Sequence, residues 1–382
     1  MHNFKIDNPT ILHFGKDVMN DLGKTIELYG KKVLLVYGGG SIKKNGIYQK
    51  AIEQLASIGA EVVDFHGIKP NPLVEDVNEA VELGHRTKVD VILAIGGGSV
   101  IDSAKVMSVC IPMQTSAWRV MIQLDKPKKA IPLITVLTLA ATGTEMNRFA
   151  VLQNEEANKK IGVGHNLMYP KHSFLDPQNT FTVPKNHTAY GIADLMAHCL
   201  ENYFGKGEAT LSDRFVFSIL NEAIEYGPQL LENLQDYRLR EKIMYAATMA
   251  LNGLTANGRE SGEWGVHDIG HVISVLFNTP HGATLTIAYS AWLKLHRERA
   301  AQRITELGKA IFGTRSVDDT INRFESFFTG IGCPIRLQQE GIDESKKELI
   351  LSTMIKNKVN GDHHKLSPQD ILTLTDLMFS PV

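Results

Sequence analysis

Two short segments carry residue types and spacings suited to holding a metal ion. In residues 191–203 (GIADLMAHCLENY), Asp194 and His198 are four apart, so on a helix both side chains point to one side. In residues 265–282 (GVHDIGHVISVLFNTPHG), His267 and His271 repeat that spacing, and His281 follows Pro280 at an expected helix end. Histidine nitrogens with one carboxylate suit Fe²⁺, Zn²⁺, Co²⁺ or Ni²⁺. A closed tetrahedral set leaves one of the five candidates free, and a site that does chemistry keeps a position open for substrate. Spacing does not say which of the five bind. A lone helical histidine is more often a partly buried polar side chain, so the argument rests on the two pairs together with His281. Cys199, beside His198, faces about 100° away on a helix and reads as core. His363 and His364, in the polar run NGDHHK, are expected to face solvent.

A second group of residues points at phosphate. Gly96-Gly97-Gly98-Ser99 follows an apolar run and opens a helical pattern containing Val100, Ala104 and Met107. Glycines let the backbone approach an anion, and the first N–H groups of the helix favour one. Ser99 and Asp102 also have the spacing of a capping box, which would make this an ordinary well-capped helix. The run is not a GxGxxG fingerprint, and Asp102 lies too close to be its distant ribose-binding acid. Gly38-Gly39-Gly40-Ser41 follows another apolar run, with Lys43 and Lys44 just beyond. Two glycine-rich strand ends on one carboxyl edge mark where open α/β sheets bind ligands. Asn71, between Pro70 and Pro72, is expected on that edge, as are Thr138, Thr142, Gly143, Thr144 and Glu145.

These groups need two kinds of element to position them. Before about residue 180, the apolar runs 32–37, 61–66, 89–95 and 131–137 alternate with helical patterns such as Val74, Val77 and Val81. Such runs suit strands buried on both faces of a parallel sheet, and the alternation indicates a doubly wound α/β domain. After Pro184 the pattern turns helical, with one stripe at Phe215, Ile219, Ala223 and Leu230. Another runs through Ile243, Ala246, Ala247, Ala250, Leu251 and Leu254. The junction predicts domains at residues 1–181 and 182–382. The 382 residues carry 40 basic and 42 acidic side chains, a balance that argues against nucleic acid or an anionic membrane as main partner. Three cysteines suit a reducing, cytoplasmic setting rather than a disulfide scaffold. The longest apolar stretch, residues 130–141, contains Pro132 and is short of the ~18 residues of a membrane span.

Two chemistries compete. His267-Asp-Ile-Gly-His271 is similar to the HExxH signature of zinc peptidases, with Asp268 in place of the glutamate, so a metallohydrolase is one reading. It leaves both glycine runs unexplained. The other reading uses every feature: a dinucleotide on the first domain, a metal on the second, and hydride transfer between alcohol and aldehyde. A non-catalytic nucleotide-binding module ranks last, because it ignores the metal-ligand cluster.

The motifs resemble the iron-containing alcohol dehydrogenases along nearly the whole chain. They are Phe14-Gly15, KPNP at 69–72, GGGSVID at 96–102, TLAATGTE at 138–145, Asp176-Pro177, GIADLMAHCLE at 191–201 and HDIGHVISVLFNTPHG at 267–282. YGGGSIKK at 37–44 resembles the butanol dehydrogenase branch, whose members reduce aldehydes broadly. The resemblance implies a Rossmann-like N-terminal α/β domain and an all-α C-terminal domain, an architecture like that of dehydroquinate synthase, in a homodimer. It also implies that Asp194, His198, His267 and His281 bind one divalent metal, while His271 sits near nicotinamide and substrate. Gly97, Gly98, Ser99, Thr138, Asn147, Phe149 and Lys160 fall at positions that contact the dinucleotide; Gly38, Gly39, Ser41, Asn71 and Thr142 join them as candidates. Asp102 matches a position with either a structural or a ribose-binding role.

The departures are Asp268 and Ile269, where small apolar residues are common, and Thr144, where serine is usual. NAD-preferring relatives carry an aspartate near Gly38-Gly39, which would accept from a ribose 2′-OH and repel a 2′-phosphate. Here there is none, and Ser41 with Lys43 or Lys44 can meet a phosphate. The expectation is a preference for NADP(H), with NAD(H) also usable, and a small aldehyde or alcohol as substrate. Phe149 and Trp264 are candidates for an apolar pocket wall.

Overall fold

The structure, a computed structural model, describes residues 1–380. Pro381 and Val382, the end of the expected second domain, lie outside the described residues. The chain divides into an α/β unit, residues 7–183 with 234–248, and a helical unit, residues 1–6, 184–233 and 249 onward.

The α/β unit contains a six-stranded parallel sheet. Its strands are β1 (Ile11–Phe14), β2 (Lys32–Tyr37), β3 (Glu61–Phe65), β4 (Val91–Gly96), β5 (Leu133–Leu137) and β8 (His172–Leu175). A separate antiparallel hairpin pairs β6 (Phe149–Asn154) with β7 (Lys159–Gly164). The helices are α1 (Leu22–Glu27), α2 (Ser41–Lys44), α3 (Ile47–Ser57), α4 (Val74–Thr87), α5 (Gly98–Met113) and α6 (Ala117–Met121).

The spatial order is β1-β8-β5-β4-β2-β3. The central strands are apolar on both faces because both faces are covered. Leu34, Val36, Ile92 and Ala94 pack with α4 and α5, while Val33, Leu35, Val91 and Leu93 pack with α1 and α3. From β2 the chain crosses to β3 on one side; from β4 it crosses to β5 on the other. The strand order therefore reverses between β2 and β4, the switch point at which open α/β sheets form a ligand crevice. Register pairs Tyr37 with Ile95 and Gly96 with Leu137, so Gly38, Gly97 and Thr138 leave the sheet on one edge.

The helical unit holds α7 (Lys185–Tyr203), α8 (Thr210–Glu232), α10 (Gly265–Phe277), α11 (His281–Leu295), α12 (Ala301–Ile311), α13 (Val317–Gly330), α14 (Lys347–Lys356) and α15 (Pro368–Phe379). Between α8 and α10, α9 (Tyr237–Ala250) belongs mostly to the α/β unit. Its Met244 lies in the core against α5, and Thr248 Oγ1 donates to Glu145 Oε1 at 2.5 Å. The units are thus interleaved in sequence, unlike the single junction expected after residue 181. Leu251 and Leu254 lie beyond the end of α9, in turns that include Gly253 at φ 103°, and do not extend its stripe. Among the described residues, no helix is long and apolar enough to cross a membrane.

Candidate active site

In the helical unit, α7 carries Asp194 and His198, α10 carries His267 and His271, and His281 opens α11. Asp194 is 3% exposed and lies at the centre of the group. Its Oδ1 is 3.5 Å from His198 Nε2, 3.8 Å from His267 Nε2 and 3.8 Å from His281 Nε2. The ligand atoms of Asp194, His267 and His281 all lie within 4.8 Å of one another. Separations of 3.5–3.8 Å are at or beyond hydrogen-bond reach. They fit ligands sharing one ion, since donors ~2.1 Å from a tetrahedral metal stand about 3.4 Å apart. Burial lowers His198 to about 4, which keeps its imidazole neutral and able to ligate. The donor set therefore fits a divalent metal.

Close helix approach makes this geometry possible. Gly282, next to His281, faces the main chain of Tyr190 on α7, and a Cβ there would collide with that carbonyl. Trp264 precedes α10 with φ 57°, and its ring lies 5.5 Å from His267 and 6.5 Å from His198, beside the cluster. His271 stacks on His281 at 5.5 Å, beside this group. Asp268 is exposed, whereas His267 beside it is buried.

Glu201 went unread in the sequence. It is fully buried on α7, and its Oε1 accepts from His267 N and Nδ1, each at 3.0 Å. The signal was present: Asp194, His198 and Glu201 follow an i, i+4, i+7 stripe. His363 is exposed as expected, but His364 is half-buried. Its N–H donates to Glu263 Oε2 at 2.7 Å and its ring packs on Trp292 and His296, because Glu263 draws the 361–364 loop inward. Cys110, Cys199 and Cys333 are buried and form no disulfide.

In the α/β unit, the residues expected at the dinucleotide gather around the switch point. Gly97 caps α5 without any side-chain cap; Val100 N already donates to Gly97 O at 3.1 Å, which leaves the N–H groups of Gly98 and Ser99 to meet an anion. The alternative of a capping box is not what forms: Ser99 lies inside the helix, and Asp102 bonds elsewhere. A Cβ added at Gly38 would stand 3.2 Å from Ile68 O and 3.7 Å from Val100 on α5, and one added at Gly98 would stand 2.7 Å from Thr142. Thr138 N donates to Gly96 O at 3.1 Å. Asn71, buried at φ 53°, accepts from Lys160 Nζ on β7 at 2.8 Å. Asn147 Oδ1 accepts from Phe149 N, and the Phe149 ring is 42% exposed. Gly39 has open space above it and Ser41 is exposed; Lys43 lies over Tyr37 and Tyr48 at 5.2 and 4.7 Å, while Lys44 points to solvent.

Asp102 makes hydrogen bonds within the unit. Oδ1 accepts from Thr144 Oγ1 at 2.5 Å and Oδ2 from Val151 N at 2.9 Å, so both oxygens are engaged within the unit. Beside it stands Lys105, also unread in the sequence and fully buried. Its ammonium donates to Thr144 Oγ1, Asn147 Oδ1 and Phe149 O at 2.7, 3.0 and 2.7 Å. The loop after β5 is thus built around buried Lys105, which the Thr144 hydroxyl links to Asp102.

The family profile described as iron-containing alcohol dehydrogenase matches residues 9–177. The profile for the C-terminal part of the Fe-containing alcohol dehydrogenase family matches residues 188–378. The chain is 40% identical to the probable NADH-dependent butanol dehydrogenase 1 of Bacillus subtilis, over 98% of this chain and 99% of that one. It is 32% identical to the NADPH-dependent aldehyde reductase YqhD of Escherichia coli, over 96% and 97%. The crystal structure of NADH-dependent butanol dehydrogenase A from Thermotoga maritima superimposes with a TM-score of 0.95 at 35% identity, covering 100% of this chain and 99% of that one.

Proposed function

The chain belongs to the iron-containing alcohol dehydrogenases, and on that premise we propose that it interconverts primary alcohols, such as butanol, with their aldehydes using NAD(P)H, mainly as an aldehyde reductase. The observation that carries this reading is the approach of three imidazole nitrogens to the buried Asp194 Oδ1. Asp194, His198, His267 and His281 would hold one divalent metal, with Fe²⁺ and Zn²⁺ both suited to these donors. When bound, the metal supplies Lewis acidity that polarises a carbonyl, and the reduced dinucleotide supplies the hydride.

The protein's own part is to bind, orient and move a proton. The open first turn of α5, with Gly97, Gly98 and Ser99, receives the pyrophosphate. Gly38, Gly39, Ser41, Asn71, Thr138, Thr142, Asn147, Phe149 and Lys160 complete the contacts. His271, beside His281, serves the proton taken up by the product oxygen. Trp264 walls the apolar side of the metal group.

NADPH is the favoured dinucleotide, because residues 38–40 carry no carboxylate and the Ser41 hydroxyl and Lys44 are exposed. Use of NADH is a second reading, favoured by the Bacillus relative being called NADH-dependent while the Escherichia relative is called NADPH-dependent. Oxidation of each dinucleotide followed over a series of short aldehydes tests both points. A higher kcat/KM with NADPH is expected; a clear excess with NADH reverses the preference, and no turnover with either removes the proposed activity.

A further inference from the structure

Glu201 is 0% exposed, and a carboxylate so buried needs strong partners. His267 supplies two: its main-chain N and ring Nδ1 both stand 3.0 Å from Glu201 Oε1. A carboxylate only accepts, so Nδ1 carries the hydrogen, which leaves Nε2 as the nitrogen that would ligate a metal. That Nε2 is the atom 3.8 Å from Asp194 Oδ1. In the opposite tautomer, two acceptors would face each other inside the protein.

We propose that Glu201 is a positioning residue for the metal: it selects the His267 tautomer, fixes the ring plane and raises the basicity of Nε2. This rests on the reading that His267 is a ligand. A carboxylate behind a ligating histidine typically tunes metal affinity about 10–100-fold. A purely structural role is separable, because the main-chain bond from Glu263 N to Glu201 O, 2.9 Å, survives any side-chain change.

The test compares full-length wild type with Glu201→Gln, which keeps the shape and an acceptor oxygen but removes the charge. Zn²⁺ affinity is measured by competition with a chromogenic chelator, and the d–d absorption of the Co²⁺-loaded proteins is recorded. Affinity about 10–100-fold weaker and shifted Co²⁺ bands are expected, with the melting temperature of the metal-free protein and its dinucleotide affinity unchanged. Wild-type affinity within twofold and an unchanged Co²⁺ spectrum would overturn the proposal. Should the variant not fold, nitrogen-15 histidine spectra of the Zn²⁺-loaded wild type decide instead. A slowly exchanging His267 Nδ1–H supports the role of Glu201, and an Nε2–H tautomer refutes it. Wild type that takes up no metal at all would remove the metal site itself, a different failure from loss of the Glu201 effect.

Discussion

Asp194 and His271 lie in one cluster yet should respond differently to substitution. Asp194 Oδ1 is the point to which three imidazoles converge, so Asp194→Ala should lose metal and turnover together, as elemental analysis and a dinucleotide oxidation assay would record. His271 stacks beside that group, so His271→Ala should keep one metal per chain while kcat falls roughly 10²–10⁴-fold and its pH profile changes. Loss of metal from the His271 variant would contradict its assignment to the proton. The helical i, i+4 pairs were legible because a repeated spacing of ligand types is improbable without a shared purpose. Lys105 was not, since a single charged residue in an apolar helix gives no pattern until its partners, 39 or more residues away, are in place, whereas Glu201 continues the stripe of Asp194 and His198.

Elements bring these residues together, and glycine sets how closely they approach. Gly282→Ala would push α11 from the Tyr190 carbonyl and displace His281, so metal affinity should drop at least about tenfold, or 1.4 kcal/mol, by chelator competition. Lys105→Met would remove the buried cation whose field favours the Asp102 carboxylate and whose bonds hold Thr144, Asn147 and Phe149. Urea unfolding should show a loss of about 3–5 kcal/mol, and KM for the dinucleotide should rise as the 144–149 loop loosens. The strands β2, β4 and β5 were readable because sheet burial on both faces leaves a continuous apolar run. The strands β1 and β8 were not, since each is four residues long and their histidines, His13 and His172, bond each other at 3.0 Å rather than adding to an apolar signal. The hairpin β6–β7, with Gly162 and Gly164, was equally hidden, although it carries Phe149 and Lys160.

At the scale of the whole molecule, the chemistry is divided: the α/β unit has the glycine edge and the helical unit the metal group. This division was visible as a change of periodicity near residue 180. The interleaving was not, because α9 is a helix in a helical stretch and only its contacts, Met244 in the core and Thr248 on Glu145, assign it to the sheet unit. The two activities should therefore separate: protein stripped of metal should still bind NADPH, seen as a change in nicotinamide fluorescence, but should not turn over. The most direct measurement is butanal reduction, followed by NADPH oxidation, before and after chelation and after return of Fe²⁺ or Zn²⁺. The expected result is loss of turnover on chelation and its recovery at one equivalent of metal per chain. Full turnover by protein shown to be metal-free would contradict the central claim.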